Sequence, residues 1–136
     1  MSAPDFLDTN VLVYAYDKGD PDKHQAARDL IWKALAGEMV TSTQVLAEFA
    51  SVLLHKMAVR PERVMAMLDA LGPIKLISTD GDMVRRAVEA RAKYGLHFYD
   101  GMIVAAAERG GCGRIWSEDL SAGQKYFGIV AGNPFE

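Results

Sequence analysis

The sequence predicts an α/β domain in which a central, mostly parallel sheet of four to five short strands is flanked by helices. Short apolar runs alternate along the chain with longer segments whose apolar residues recur at intervals of three and four. These are the patterns of buried strands and of helices, respectively. Their alternation favours a parallel sheet covered on both faces. At 136 residues the chain has the size of one ordinary domain, and no repeat, low-complexity segment or linker divides it.

Each predicted element follows from a local signal, and the elements can be given in chain order. The predicted elements are a strand at 5–7, a short helix at 11–15, a helix that opens at Pro21, a strand at 39–41, a helix capped by Ser42 or Thr43, a helix that opens at Pro61, a strand at 75–77, a helix capped by Thr79, a helix from about Phe98 to Arg109, a strand at 115–116 and a last strand at 129–130.

Capping residues give the clearest signals for where the predicted helices begin and end. Asp20 before Pro21 places a capping carboxylate ahead of a residue suited to the first helical position. Gly37 and Gly95 stand where the residue after a helix often adopts a left-handed conformation. The helix that ends at Gly95 is amphipathic, and its predicted inner face consists of Met83, Val84, Ala87 and Val88.

Composition narrows the class of protein. Half of the residues are hydrophobic and a quarter are charged, as in soluble globular proteins. The longest apolar runs are far too short to cross a bilayer, no secretion signal opens the sequence, and a single cysteine agrees with a reducing cytoplasm. The net charge of −3 argues against a protein that binds nucleic acid by phosphate neutralisation alone. It is compatible with a metal-dependent enzyme, because bound cations reverse the local field.

Two acidic residues lie just beyond the ends of predicted strands. Asp8 ends the first strand, and Asp119 follows the fourth, next to Glu118. Ligands of open α/β sheets bind beyond the carboxyl ends of strands, so both acids are candidate site residues. A local alternative stays open for each: Asp8 as the cap of the next helix, and Asp119 as a turn residue or the cap of a short helix near Ser121.

Two further acids lie on predicted helices. Asp100 begins a helix that is apolar nearly all round, and a buried carboxylate needs a partner, a metal or a proton. Its alternative explanation is the favourable position of an acid at a helix N-terminus. Glu48 lies at the edge of an apolar helix face, where it can reach either a cleft or solvent, and a solvated surface glutamate is its local alternative.

Acids that are dispersed in sequence but able to converge at one sheet edge suit Mg²⁺ or Mn²⁺, which prefer oxygen ligands. Zinc is disfavoured, because His24, His55 and His97 lack close metal-ligand spacing and only Cys112 offers a thiol. The sequence also lacks a phosphate-binding Walker loop and a nucleophile elbow.

The segments around these acids resemble the PIN-domain family, and most closely the VapC-type toxins of bacterial toxin–antitoxin pairs. The resemblance spans nearly the whole chain in order, and four motifs in series make it specific. One departure is Gly101, where many relatives have alanine, and this glycine is expected to loosen the start of its helix. The similar segments are 6–14, 42–49, 98–107, 116–124 and 133–135.

The resemblance implies a three-layer PIN-like fold over a single domain, residues 1–136, and a set of site residues. Asp8 and Asp100 would be the central ligands of Mg²⁺ or Mn²⁺ and catalytic residues, with Glu48 and Asp119 completing the site. The remaining implied residues are Asn10 and Ser117, as groups that orient carboxylates or contact phosphate, and Glu118, as a substitute ligand.

The resemblance also implies an activity and partners. It predicts a cytoplasmic, metal-dependent endoribonuclease that cleaves single-stranded or structured RNA, often tRNA or rRNA, and leaves a 5′-phosphate and a 3′-hydroxyl. The expected partners are a cognate antitoxin and a second copy of the chain. Basic residues are candidates for an RNA path, although solvated helix faces explain them as well. These residues are Lys56, Arg60, Arg63, Arg85 and Arg86.

Two rival functions stay open at this stage. A phosphoacceptor domain of a signalling protein also gathers acids and Mg²⁺ at a sheet edge, and Asp80 is the nearest candidate acceptor. That design needs adjacent acids after the first strand and places no ligands inside helices. The second rival is a non-catalytic module that acts only by binding RNA or a partner.

Overall fold

The structure, a computed structural model that describes residues 2–136, contains six helices and six strands within that range. Residue 1 of the expected 1–136 domain lies outside the described part. In chain order the elements are β1 (Asp5–Leu7), α1 (Thr9–Tyr16), α2 (Pro21–Leu35), β2 (Met39–Ser42), α3 (Thr43–His55), α4 (Pro61–Ala70), β3 (Lys75–Ile77), α5 (Gly81–Tyr94), α6 (Phe98–Arg109), β4 (Arg114–Trp116), β5 (Lys125–Tyr126) and β6 (Ile129–Gly132).

All six strands belong to one sheet, in the order β3-β2-β1-β4-β6-β5. Every pairing is parallel except that of β5 with β6. The predicted α/β class with a central, mostly parallel sheet flanked by helices is therefore confirmed. The sheet has one strand more than expected, because β5 is only two residues long and so short a segment has no alternation to recognise.

Helix α6 occupies the centre of the molecule. It contacts α5 and also the strands β2, β4 and β6, and every residue from Gly101 to Ala107 is buried. This double coverage explains why its sequence is apolar nearly all round. The strand β1 is equally central, since it pairs with β2 on one side and β4 on the other, and Phe6 and Leu7 are fully buried.

Gly101 has a packing role that corrects the expectation of a loose helix start. A Cβ atom at this position would lie 2.7 Å from the carbonyl oxygen of Ala87 and 3.1 Å from its Cα atom. Both atoms belong to the backbone of α5, so no side-chain rotation relieves the clash. The missing side chain therefore lets α5 and α6 approach closely.

The predicted inner face of α5 was wrong in part. Met83 and Ala87 are buried, together with Ala90, but Val84 and Val88 are 42% and 56% exposed. The stripe that faces α6 contains two alanines, which permit close helix contact, and the valines lie on the neighbouring stripe. The predicted cap of this helix was also wrong by one residue, because Asp80 rather than Thr79 accepts from the backbone N–H of Met83.

Candidate metal centre

The site is built where the central strands end. Leu7 of β1 lies opposite Trp116 of β4 in parallel register, so the residues after these two strands emerge side by side. The backbone N–H of Asp8 donates to the carbonyl oxygen of Trp116 (3.1 Å). The Asp8 carboxylate also caps α1 by accepting from the backbone N–H of Thr9 (2.7 Å). Asp8 thus combines the capping position and the strand-end position that its sequence context left open.

Three carboxylates converge at this edge. Asp8, Asp100 and Asp119 each offer an oxygen atom, and these oxygens all lie within 4.8 Å of one another. They come from the end of β1, the first turn of α6 and the loop after β4, respectively. Of the four acids expected to meet, the structure brings these three together in one cluster, although they are as much as 111 positions apart in the chain.

Glu48 stands beside this cluster rather than in it. Its Oε2 atom accepts from the hydroxyl of Thr9 (2.8 Å), and its Oε1 atom accepts from Nε2 of Gln44 (2.8 Å). The side chain is half-buried, and its charge is among the causes that raise the pKa of Asp100. Glu48 therefore faces the site, and its role as a metal ligand stays a prediction.

Thr9 is a site residue that the sequence analysis did not single out. It lies between Asp8 and Asn10, at the start of α1, and its hydroxyl is the group that links α1 to Glu48 of α3. A hydroxyl at the first helical position carries no signal of its own in a single sequence. Its position between two candidate residues was the only available sign.

Ser117 and Asn10 connect the carboxylates. The buried hydroxyl of Ser117 donates to Oδ2 of Asp8 (2.7 Å) and accepts from the backbone N–H of Asp119 (3.0 Å). Nδ2 of Asn10 donates to Ser117 (3.3 Å) and to Oδ2 of Asp119 (3.2 Å), and Oδ1 of Asn10 accepts from the backbone N–H of Glu118 (3.3 Å). These contacts join Asn10 and Ser117 to the carboxylates, and the role of both residues as orienting groups stays a prediction.

The Glu118 carboxylate lies in a different environment. It accepts from the hydroxyl of Tyr14 (3.1 Å) and forms an ion pair with Lys23 (3.1 Å). The ammonium of Lys23 also lies over the ring of Tyr14, 4.8 Å from its centroid. In this structure Glu118 anchors the loop after β4 to α1 and α2, and its role as a substitute ligand stays a prediction.

The carboxylate cluster is electrostatically unfavourable by itself. Burial raises the pKa of Asp8 to about 6, against the lowering effect of the hydrogen bonds from Ser117 and Thr9, and the charges of Asp119 and Asp100 raise it further. Burial also raises the pKa of Asp100, followed by the charge of Asp119. Among residues 2–136, no lysine or arginine forms an ion pair with any of the three carboxylates.

This donor set fits a hard divalent cation. The cluster offers only oxygen atoms, it carries an excess of negative charge, and one of its members, Asp8, is 4% exposed. Burial first, and then the mutual repulsion of the acids, raises these pKa values, and a cation such as Mg²⁺ or Mn²⁺ would offset both effects. Asp8, Asp100 and Asp119 are the residues positioned to hold it, with Glu48 next to them.

The candidate phosphoacceptor Asp80 is engaged elsewhere. It caps α5 and forms an ion pair with Arg109 (2.6 Å), and the hydrogen bond from Arg109 lowers its pKa. It is not part of the carboxylate cluster. The arrangement therefore offers no support for the signalling alternative, which needs its acceptor among the metal-binding acids.

Two of the basic residues considered for an RNA path are bound to acids. Arg86 contacts Glu89 and Glu108, and its guanidinium lies 3.5 Å from the ring centroid of Phe127. Arg60 contacts Glu62. These contacts favour structural or solvated roles over an RNA path at these two positions.

The fold and the site define an α/β protein with a cluster of carboxylates, suited to binding a metal ion, at the carboxyl ends of its central strands. The family model for the PIN domain matches residues 6–127. Since this is most of the sequence, the chain belongs to the PIN-domain family. Comparison of the sequence with curated proteins gives no match.

Solved structures with the same fold include several toxin–antitoxin proteins. VapC20 of Mycobacterium tuberculosis, described as a sarcin–ricin-loop-cleaving toxin, has a TM-score of 0.68 and 20% identity, covering 85% of this chain and 89% of that one. A toxin–antitoxin complex from Klebsiella pneumoniae has a TM-score of 0.69 and 22% identity, covering 99% of both chains. DNA-bound VapBC from Salmonella typhimurium has a TM-score of 0.70 and 18% identity, covering 98% and 99%.

Residues 2–136 contain no helix that is both long enough and apolar enough to span a bilayer.

Proposed function

We propose that this chain is a single PIN domain, residues 1–136, that acts as a Mg²⁺- or Mn²⁺-dependent endoribonuclease and as the toxin of a VapBC-type toxin–antitoxin pair. The observation that carries the proposal is the convergence of Asp8, Asp100 and Asp119 at one sheet edge, where no lysine or arginine of residues 2–136 forms an ion pair with any of the three carboxylates. Membership of the PIN-domain family supports nuclease chemistry at such a cluster.

In the proposed reaction, the protein's own residues hold the cation and orient the carboxylates that bind it. Asp8 and Asp100 are the central ligands, and Glu48 and Asp119 complete the site. A bound divalent cation supplies the acidity that activates water and offsets charge on the scissile phosphate. Ser117 keeps the Asp8 carboxylate in one orientation through the 2.7 Å hydrogen bond. Asn10 does the same for Asp119.

We further propose RNA as the substrate and a cognate antitoxin as the partner. Structures of the same fold include a toxin described as cleaving the sarcin–ricin loop and VapBC complexes, and these descriptions favour structured or single-stranded RNA, such as tRNA or rRNA. A homodimer and a cytoplasmic location belong to the same proposal. The exposed valines of α5, Val84 and Val88, are compatible with a contact between two copies.

The test is cleavage of a labelled total-RNA preparation by the purified chain with Mg²⁺ or Mn²⁺, followed by sequencing of the new 5′ ends. Asp8→Asn and Asp100→Asn are each expected to abolish the metal-dependent cleavage while preserving the circular-dichroism spectrum. Asp69→Asn is the matched control, because Asp69 is an exposed acid on α4, and it is expected to cleave like the wild type.

Undiminished cleavage by folded Asp8→Asn and Asp100→Asn variants would remove the site assignment. Products that carry a 2′,3′-cyclic phosphate instead of a 3′-hydroxyl would contradict attack by water. Calorimetry that detects no binding of Mn²⁺ at millimolar concentration would favour the non-catalytic alternative, in which the chain acts only by binding RNA or a partner.

A further inference from the structure

Phosphate neutralisation by basic side chains offers little attraction for RNA near this site. The chain has a net charge of −3, and the carboxylate cluster adds local negative charge. Four of the cations are ion-paired: Lys23 with Glu118, Arg60 with Glu62, Arg86 with Glu108, and Arg109 with Asp80. A substrate held here would therefore gain from a source of affinity that does not depend on positive side chains.

An exposed aromatic ring belongs to the residue that directly precedes Asp100 in the first turn of α6. Tyr99 is the residue immediately before Asp100, and it is 57% exposed although α6 is otherwise mostly buried. Consecutive Cα atoms are about 3.8 Å apart, so the tyrosine begins within one residue of a proposed ligand.

Neighbouring aromatic rings hold Tyr99 in place. Its ring is stacked with that of His97, with a centroid distance of 6.0 Å and an interplanar angle of 28°. Phe98 meets it edge to face at 5.2 Å and 73°. The backbone N–H of Tyr99 donates to Nδ1 of His97 (3.3 Å), so the same histidine caps the helix and supports the ring. A ring that is already positioned loses little freedom when a ligand stacks on it.

We infer that Tyr99, supported by His97, is a stacking surface for an unpaired base of the RNA next to the phosphate held at the carboxylate cluster. This inference rests on the proposed function and names a subsite for it. Stacking on an aromatic face requires a base that has left its own helix, and it tolerates any base identity because every base has such a face. The subsite therefore selects unpaired over double-stranded RNA without reading sequence.

The first experiment measures binding, so that it does not depend on cleavage. Fluorescence anisotropy with a labelled oligoadenylate in EDTA compares the wild type with Tyr99→Ala, Tyr99→Trp and Trp32→Ala. Trp32 is the matched control, since it is an aromatic residue on α2 that is 65% exposed. Tyr99→Ala is expected to weaken binding about 5- to 160-fold, which corresponds to the loss of one stacked base. Tyr99→Trp and Trp32→Ala are expected to bind like the wild type.

The second experiment measures metal-dependent cleavage of a single-stranded oligonucleotide. Tyr99→Ala is expected to raise KM by a similar factor, with a much smaller change in kcat, because the ring binds substrate without taking part in the reaction. The difference in KM is expected to shrink for the same sequence presented as a duplex, since its bases are not available for stacking.

The outcomes separate this inference from the proposed function. Wild-type cleavage together with unchanged binding and KM in Tyr99→Ala overturns the stacking subsite and leaves the nuclease proposal intact. Equal losses in Tyr99→Ala and Trp32→Ala also overturn it, because they point to general surface adhesion. If the wild type cleaves no RNA, the nuclease proposal fails, and the anisotropy comparison alone decides the subsite.

Discussion

Replacing the buried acid Asp8 by asparagine is expected to stabilise the metal-free protein while it destroys the activity. Burial raises the pKa of Asp8 from its ordinary value of 3.8 to about 6. At about 1.4 kcal/mol per pH unit, ionisation of this carboxyl group in the folded state costs about 3 kcal/mol more than in the unfolded chain. An asparagine side chain carries no charge and has almost the same shape, and it can keep a hydrogen bond from the backbone N–H of Thr9.

The sign of the pH dependence follows from the direction of the shift. Between pH 3.8 and about 6 the folded wild type retains a proton that the unfolded chain has released, so the wild type loses stability as the pH rises through this window and levels off above it. The Asp8→Asn variant has no such loss. The variant is therefore expected to exceed the wild type in free energy of unfolding only slightly near pH 4, and by about 2–3 kcal/mol above pH 7.

Urea unfolding in EDTA, followed by tryptophan fluorescence at pH 5 and at pH 7.5, measures this difference. Asp69→Asn serves as the control for loss of an exposed charge. An Asp8→Asn variant that is less stable than the wild type at pH 7.5, or an advantage that is the same at both pH values, would refute the reasoning. Mn²⁺ at one hundred times its Kd is expected to raise the free energy of unfolding of the wild type by about 2.7 kcal/mol. The same concentration is expected to stabilise the variant much less.

Two further predictions concern packing and the orientation of Glu48. Gly101→Ala is expected to destabilise the fold by about 1–3 kcal/mol in urea unfolding, because its methyl group would meet the backbone of Ala87. The control Gly81→Ala is expected to be neutral or stabilising, since nothing lies within 4 Å of the added methyl group. Equal stability of the two variants would contradict the close approach of α5 and α6. Thr9→Val is expected to weaken Mn²⁺ binding about tenfold in calorimetry, because it removes the hydroxyl that donates to Glu48. Thr9→Ser keeps a hydroxyl and is expected to retain the affinity. Weakened binding in Thr9→Ser would show that the shape of the side chain, rather than its hydrogen bond, determines the affinity.

Local chemistry is strong enough in this chain to reveal most of its elements from sequence. Asp20 before Pro21 starts α2, Ser42 caps α3, and Gly95 ends α5 with a positive φ of 72°. Each of these signals acts over a few residues, so the sequence alone is sufficient to locate it. Asp100 was recognisable for a related reason, because a charge in an apolar context such as α6 is locally anomalous.

What the sequence determined by itself was therefore the class of fold, the order of its elements and the acids that needed an explanation. Tertiary structure alone decided which acids meet, and it brings Asp8, Asp100 and Asp119 into one cluster. Glu48 lies beside this cluster and accepts a hydrogen bond from Thr9, whereas Glu118 pairs with Lys23. It likewise decided that Gly101 serves close packing. Distances between residues that are far apart in the chain depend on strand register and helix packing, and these are set by the whole core rather than by any local segment.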